Sequence, residues 1–394
     1  MDDQRYIVLD LQSADRGGDE DFRLGPSADR PVEAAVSVES LSPADAADAR
    51  RNPGTVIAEP LPTQLIQPVA KAETAAAPAP GIAWGVETVG ATTSNCTGAG
   101  VKVAVLDTGI DAGHPAFQGV TITQQDFTGE GDGDDDGHGT HCAGTIAGRD
   151  VGGFRFGVAP GVEELLIGKV LGVNGGSTDA VAQGMQWALQ SGANVLSMSL
   201  GIDFPGLVAR LTAQGLPVQP ATSRALQAYR DNIELFGTLA RLIRANAALG
   251  RSAVVVAATG NESKREAPVP YTIAVSPPAA SEGFISVAAL MQADGNGGLK
   301  VARFSNTGPS IAAPGVDIVS ARAGGGFVSM SGTSMATPHV AGVAALWAEH
   351  LMNGSGGIDP AELSARLVGK SRTVEALSRD DGGAGLVRAP QAAD

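Results

Sequence analysis

Val101-Lys102-Val103-Ala104-Val105-Leu106-Asp107-Thr108-Gly109 is apolar except for Lys102, rich in valine, and closed by an aspartate and a glycine turn. A run without polar alternation suits a parallel strand covered on both faces. Similar runs recur at residues 165–171, 195–200, 254–258 and 284–288. Helical stretches fall between and after them: a segment of small residues opening at His138, then residues 178–191, 225–249 and 335–350. In 225–249, Leu226, Tyr229, Ile233, Phe236, Leu239, Ala240 and Ile243 lie near one helical face. The alternation predicts an α/β fold of three layers, a mostly parallel sheet with helices on both faces. No repeat of solenoid period is visible. In such sheets function sits at the carboxyl ends of strands, which singles out Asp107.

Two further motifs complement that aspartate. Gly137-His138-Gly139-Thr140-His141 offers a histidine, and Gly332-Thr333-Ser334-Met335-Ala336-Thr337-Pro338 places a serine at the mouth of a helix. A serine hydroxyl is a poor nucleophile and needs a base beside it. His138 can take its proton, and Asp107 can hold the imidazole in one tautomer and stabilise the imidazolium. The strand 254–258 ends in Thr259-Gly260-Asn261-Glu262. The Asn261 amide and the Ser334 backbone N–H are the two candidate donors for an oxyanion. Each residue alone has a plainer reading: a turn aspartate, a turn asparagine, a serine N-cap. The order and matching flanks of all of them favour the chemistry. His141 and Cys142 read as inward-packing residues, Cys142 as a small buried apolar side chain, and His114 as part of a structural turn.

The order Asp107, His138, Ser334 and the flanks of each resemble the subtilisin-like serine proteases (subtilases). The resemblance covers about residues 84–389, with Thr259 where the family usually has alanine. It implies a hydrolase, a serine endopeptidase working through an acyl-enzyme on polypeptide substrates, made as a self-processing zymogen. An extended substrate would lie as a strand between residues 173–178, which include Gly175 and Gly176, and Ser199-Leu200-Gly201. The primary pocket would lie between that second edge and Ala257-Ala258-Thr259-Gly260, with a floor near Tyr271 and Thr272. Competing readings are a non-catalytic binding protein on a protease scaffold, and an esterase or dedicated peptide-maturation peptidase using the same residues. Relatives often bind calcium in the turn after the catalytic strand and in a loop after the histidine helix. Here Ala116 stands where the turn aspartate would fall, and residues 149–155 carry few oxygen side chains, against the six to eight oxygens calcium wants. No cofactor and no metal site are expected there.

Residues 1–72 read as a separate small α+β module: a strand over 5–11, a polar loop, a strand over 32–41, a helix capped by Ser42 with Pro43 at its first position, and a strand over 55–60. This order resembles the inhibitory propeptides of subtilisin-like proteases; the plainer alternative is a non-inhibitory extension. As a propeptide the module would inhibit its own enzyme, and self-cleavage would fall within residues 70–83. Residues 73–83, rich in alanine and proline, read as a linker, and residues 84–394 as the catalytic domain. Residues 202–222, with Pro205, Pro217 and Pro220, read as an inserted surface loop, either inert or a specificity element. Ahead of His138 the acidic run Glu130-Gly131-Asp132-Gly133-Asp134-Asp135-Asp136 is either a solvated loop, a calcium holder, or a selector in which Asp136 attracts a basic substrate residue.

The chain has 394 residues, 53 glycines, 4% aromatic residues and a net charge of −15. The glycines suit many tight βα turns, and the charge argues against nucleic acid as a partner. Cys96 and Cys142 make no disulfide framework. No apolar stretch reaches 18 residues, so no membrane span is expected. The first thirty residues hold no apolar run of secretory type, which favours a cytoplasmic location.

Overall fold

The computed structural model describes residues 3–12, 33–74, 78–245, 253–293, 298–375 and 377–394. The N-terminal module follows the predicted order: β1 (Gln4–Gln12), β2 (Glu33–Leu41), α1 (Pro43–Arg51) and β3 (Thr55–Ala58). The polar loop between β1 and β2 lies outside the described residues. The sheet runs β2-β1-β3, antiparallel throughout. Ser42 caps α1 by accepting from the Asp45 N–H. One face of the sheet, Tyr6, Val8 and Ile57, packs on Ala46 of α1. Ile7, Leu9 and Ala58, on the other face, join a core shared with the rest of the chain.

Beyond the module come β4 (Pro62–Leu65) and β5 (Ala70–Thr74). The stretch expected to be a linker is thus drawn into structure at both ends, because β5 pairs with a later strand and Gly81–Ile82 pairs with Phe154–Arg155.

The larger domain contributes β6 (Lys102–Asp107), β7 (Thr121–Asp126), α2 (His138–Ala147), β8 (Glu164–Lys169), β9 (Gly175–Ser177), α3 (Thr178–Gln190), β10 (Val195–Met198), β11 (Leu200–Ile202), α4 (Phe204–Ala213), α5 (Val218–Ala245), β12 (Val254–Ala258), β13 (Phe284–Gln292), β14 (Leu299–Val301), β15 (Ile311–Pro314), β16 (Phe327–Ser331) and α6 (Thr333–Ser355). The central sheet runs β14-β13-β12-β10-β6-β8-β7, with β15 on β13, and every pair but β13–β14 is parallel. Residues of β6 alternate between two cores. Val103 and Val105 pack with Ile146 of α2 and Val343 and Trp347 of α6, while Ala104 and Leu106 pack with Met185 of α3 and Phe236 of α5. Asp107 is level with Lys169 in the parallel register, and Leu106 with Met198. The carboxyl ends of three strands therefore reach one edge of the sheet, two of them closing on a charged residue.

The 202–222 segment is not a loop. Asp203 caps α4 by accepting from the Gly206 N–H at 2.9 Å, and Pro205 sits in the first turn. Pro220 likewise sits in the first turn of α5. Leu211 of α4 packs on Ala221 and Ala225 of α5. The expected face of α5 holds in its second half, where Phe236, Leu239, Ala240 and Ile243 are buried; in the first half Ala225, Ala228 and Asn232 are buried instead, and Leu226 is exposed.

Candidate active site

Asp107 closes β6, and its Oδ1 accepts from His138 Nδ1 at 2.8 Å and from the Thr108 N–H at 2.8 Å. His138 begins α2 and is completely buried. Burial favours the neutral ring, but the Asp107 charge and hydrogen bond outweigh it, and the His138 pKa lies well above its ordinary value. Its Nε2 has no hydrogen-bond partner among the described residues.

Asp134, four residues ahead of His138, holds the loops carrying these groups together. It accepts from Thr108 Oγ1 (2.8 Å), the Gly137 N–H (2.8 Å), the Thr140 N–H (2.8 Å) and Thr140 Oγ1 (2.6 Å). Gly109 lets the loops close: its φ is +114°, and a Cβ there would lie 1.9 Å from the Gly133 carbonyl oxygen.

Ser334 is the second residue of α6. Pro338, four residues on, has no N–H to give the Ser334 carbonyl. That carbonyl accepts instead from Ser199 Oγ at 3.3 Å and Cys142 Sγ at 3.5 Å. Cys142 also lies 3.8 Å from His138 Nδ1. One buried thiol thus touches both the histidine and the serine, and burial raises its pKa. Cys96 and Cys142 are both unpaired. Burial drops His141 to about 3, with Nε2 on the Ile318 carbonyl at 2.9 Å. His114 donates from Nε2 to the Gly326 carbonyl at 2.8 Å, in the structural role expected.

Asn261 is aimed by the start of the same helix. Its Oδ1 accepts from Thr333 N–H and Oγ1, both at 2.9 Å. This fixes which way its amide N–H groups point. Behind it stands Asn306, which sequence reasoning missed. Fully buried, Asn306 donates to the Thr259 carbonyl at 3.0 Å and accepts from Ser263 N–H and Oγ at 3.1 Å. Gly260, at φ +111°, passes so close that a Cβ would lie 2.4 Å from Asn306 Nδ2. A lone asparagine in Ser305-Asn306-Thr307-Gly308 reads as a turn residue, and nothing local separates it from one.

The groove between β9 and β11 is occupied by β4, antiparallel to both. Gly176 pairs with Thr63, Leu200 with Leu65, and Gly201 with Gln64. Past β4 the Ser334 hydroxyl donates to the Ile66 carbonyl at 3.1 Å, while Asn261 Nδ2 donates to the Gln67 carbonyl at 2.9 Å. Pro68 follows, then β5 pairs with β16. Residues 62–74 therefore cross the whole cleft in one unbroken piece. The Ile66 side chain is only 4% exposed and lies 3.5 Å from where a Gly201 Cβ would stand, beside Ser276 Oγ. The wall there is 273–277. Tyr271 pairs instead with Lys264, away from the expected pocket floor. Ala258 and Thr259 are buried in and just past β12, and Thr259 Oγ1 bonds the Val287 carbonyl. The Gly260 N–H bonds Thr333 Oγ1. Asp135, Asp136, Glu130 and Lys169 line a cavity of about 480 Å³ beside Leu65 and Gln67. Lys169 lies 3.5 Å from Asp135 and 3.7 Å from Glu130, so part of the acidic run is neutralised.

The calcium loop after α2 does not fit the ion. Arg149 places its guanidinium on the carbonyls of Ala147 (3.0 Å) and Val162 (2.9 Å), filling acceptors with a positive group. Among the described residues no helix is long and apolar enough to cross a membrane.

The subtilase family profile matches residues 98–385. Subtilisin Savinase of Lederbergia lenta is 36% identical over 274 residues, covering 67% of this chain and 83% of that protein. M-protease of Shouchella clausii (strain KSM-K16) is also 36% identical over 274 residues, and there the match spans 59% of the relative's length. An intracellular serine protease of Paenibacillus polymyxa is 35% identical over 258 residues, covering 63% of this chain and 67% of that protein.

Proposed function

The chain belongs to the subtilase family, and on that premise we propose that it is a serine endopeptidase held shut by its own N-terminal module. The observation that carries this reading is the strand β4 lying in the groove between β9 and β11, with Ile66 against Ser334 and Gln67 against Asn261. A peptide substrate would lie the same way, its backbone completing the sheet. His138 takes the Ser334 proton as Oγ attacks the scissile carbonyl carbon. Asp107 holds the Nδ1–H and stabilises the imidazolium. Asn261 Nδ2 and the Ser334 N–H receive the oxyanion, and His138 then returns its proton to the leaving amine. Water, activated by the same histidine, releases the acyl group.

The bound segment resists this chemistry for a geometric reason. Ser334 and Asn261 address two successive carbonyls, so the carbonyl facing the nucleophile is not the one held by the asparagine. The chain from 62 to 74 is thus a substrate-like strap rather than a substrate. Cleavage within residues 70–83 would need another segment to enter the cleft. The Paenibacillus relative's name supports a cytoplasmic setting.

The experiment is intact-mass analysis of the wild-type and Ser334→Ala proteins, with a fluorophosphonate probe of the serine. Wild-type protein should take one probe at Ser334 and cleave polypeptides once its strap is displaced; Ser334→Ala should do neither and stay full length. A labelled wild type cut after Ile66 or Gln67 would refute the split-carbonyl account. A wild type that neither labels nor cleaves would refute the enzyme.

A further inference from the structure

Beside the strap is an open cavity of about 730 Å³ that the strap leaves largely unfilled. It is continuous with the pocket in which Ile66 sits against Gly201 and the 273–277 wall, and Gln64 lies beside it on the strap; its outer part, beyond Ile66, is walled by Phe204, Leu226 and Tyr229 of the helix pair α4 and α5. Phe204 begins α4 and meets Tyr229 of α5 edge to face, with ring centroids 5.6 Å apart. Leu226, one turn before Tyr229, is 46% exposed, and Ile273 across the cavity is 40% exposed. Leu226 and Ile273 are exposed to the cavity, while Phe204 backs onto the Leu211, Ala221 and Ala225 cluster. Both carboxylates that line the cavity are engaged elsewhere, Asp203 in capping α4 and Glu262 in accepting from Asn306 Nδ2 at 2.6 Å.

We propose that α4 and α5 form a binding subsite for the side chain of the third substrate residue before the scissile bond, and that it selects a large apolar one. The register identifies the occupant. Ile66 is the residue whose carbonyl faces Ser334, and Gln64 is two residues upstream, opposite Gly201. Side chains alternate along β4, so Thr63 and Leu65 are buried beneath it while Gln64 is exposed on the side of the cavity. The chain runs from Ile202 through Asp203 straight into α4, which raises the Phe204 wall next to that position. Gln64 is a poor filler for an apolar site. A substrate with phenylalanine or leucine there would bury surface that the strap leaves open, and so would compete the strap out.

The inference rests on the endopeptidase reading and is tested so that the two can fail separately. Two peptide series are cleaved by the active wild-type enzyme, one varying only the third residue before the cut among phenylalanine, leucine, alanine and glutamine, the other varying only the residue at the cut. The expected result is kcat/KM at least about tenfold higher for phenylalanine than for glutamine at the third position, a ratio reduced by Leu226→Ser and by Phe204→Ala. In the full-length chain, Gln64→Phe should slow fluorophosphonate labelling of Ser334 by a similar factor, and adding Leu226→Ser should reduce that effect. A flat third-position series with peptides still cleaved overturns the subsite and leaves the enzyme standing. So does a size preference confined to the residue at the cut, because the cavity then belongs to that residue. Absence of both labelling and cleavage removes the enzyme, and the subsite with it.

Discussion

Replacing Ile66 by alanine should open the cleft by a calculable factor. The side chain is 4% exposed and fills the pocket beside Gly201 and Ser276. Burying an isoleucine side chain contributes about 1.5–3 kcal/mol, and alanine gives most of that up. No charged partner is lost with it, and the backbone pairing of β4 does not depend on it. The closed-to-open equilibrium of the strap should therefore fall by roughly 10- to 150-fold, taking about 1.4 kcal/mol per factor of ten. The assay is the rate of fluorophosphonate labelling of Ser334 in the full-length chain, which tracks the open fraction when the strap exchanges faster than the probe reacts. The rate should rise by that factor and should change little with salt, because the lost contact is apolar. A rate within twofold of wild type would refute the reasoning, since it would mean that Ile66 in its pocket does not keep the cleft closed.

Three other outcomes follow from the site. Asn261→Ala should lower turnover by about 10²–10³-fold, the range typical of losing one oxyanion-hole donor in a subtilisin; steady-state kinetics on one peptide decide it, and an unchanged turnover number removes the amide from the chemistry. The raised pKa of His138 means that the imidazole is protonated, and unable to act as base, until the pH passes well above its ordinary 6.5. The rising limb of kcat/KM should therefore lie on the alkaline side, and Asp107→Asn should move it to lower pH while sharply reducing the rate; a wild-type limb at or below pH 6.5 contradicts this. Asp136→Asn should reduce any preference for lysine over alanine at the substrate residue matching Leu65 by a few-fold at low salt, as one exposed pair contributes about 0.2–1 kcal/mol; an identical lysine/alanine ratio in both proteins means that the acidic run does not select substrate.

The central sheet and the residues that meet at the cleft are readable in the sequence because each is announced locally. Asp107 and Asn261 terminate valine-rich strands, and Ser334 opens a helix. The module at the N-terminus was equally legible, down to the Ser42 cap. The helix α4 was misread because proline suggests a break, whereas Pro205 and Pro220 occupy first-turn positions where a missing N–H costs nothing. The face of α5 is legible from Phe236 to Ile243 but not before it, because apolar periodicity cannot distinguish a side chain facing the core from one facing a cavity, and Asn232, which the core accepts by letting it donate to the Glu59 carbonyl at 2.9 Å, carries no apolar signal. Asn306 and the loop-bracing role of Asp134 depend on partners distant in the chain or hidden in loop closure. The register of the strap is a tertiary fact, set by pairings of residues 62–65 with residues more than a hundred positions away.

Because β4 and β5 belong to the same covalent chain as the groove they fill, occupancy of the cleft is independent of how dilute the protein is. A tether of this kind gives an effective concentration near the millimolar range, so even a mediocre ligand such as one with Gln64 in an apolar site keeps the groove filled. A single cut anywhere between β5 and the catalytic domain would convert that internal equilibrium into an ordinary bimolecular one. The module would then have to rebind from solution at whatever concentration the compartment holds. The same weak complementarity that suffices before the cut would favour release after it, and the switch would be set by the connectivity of the chain and not by any change in the contacts.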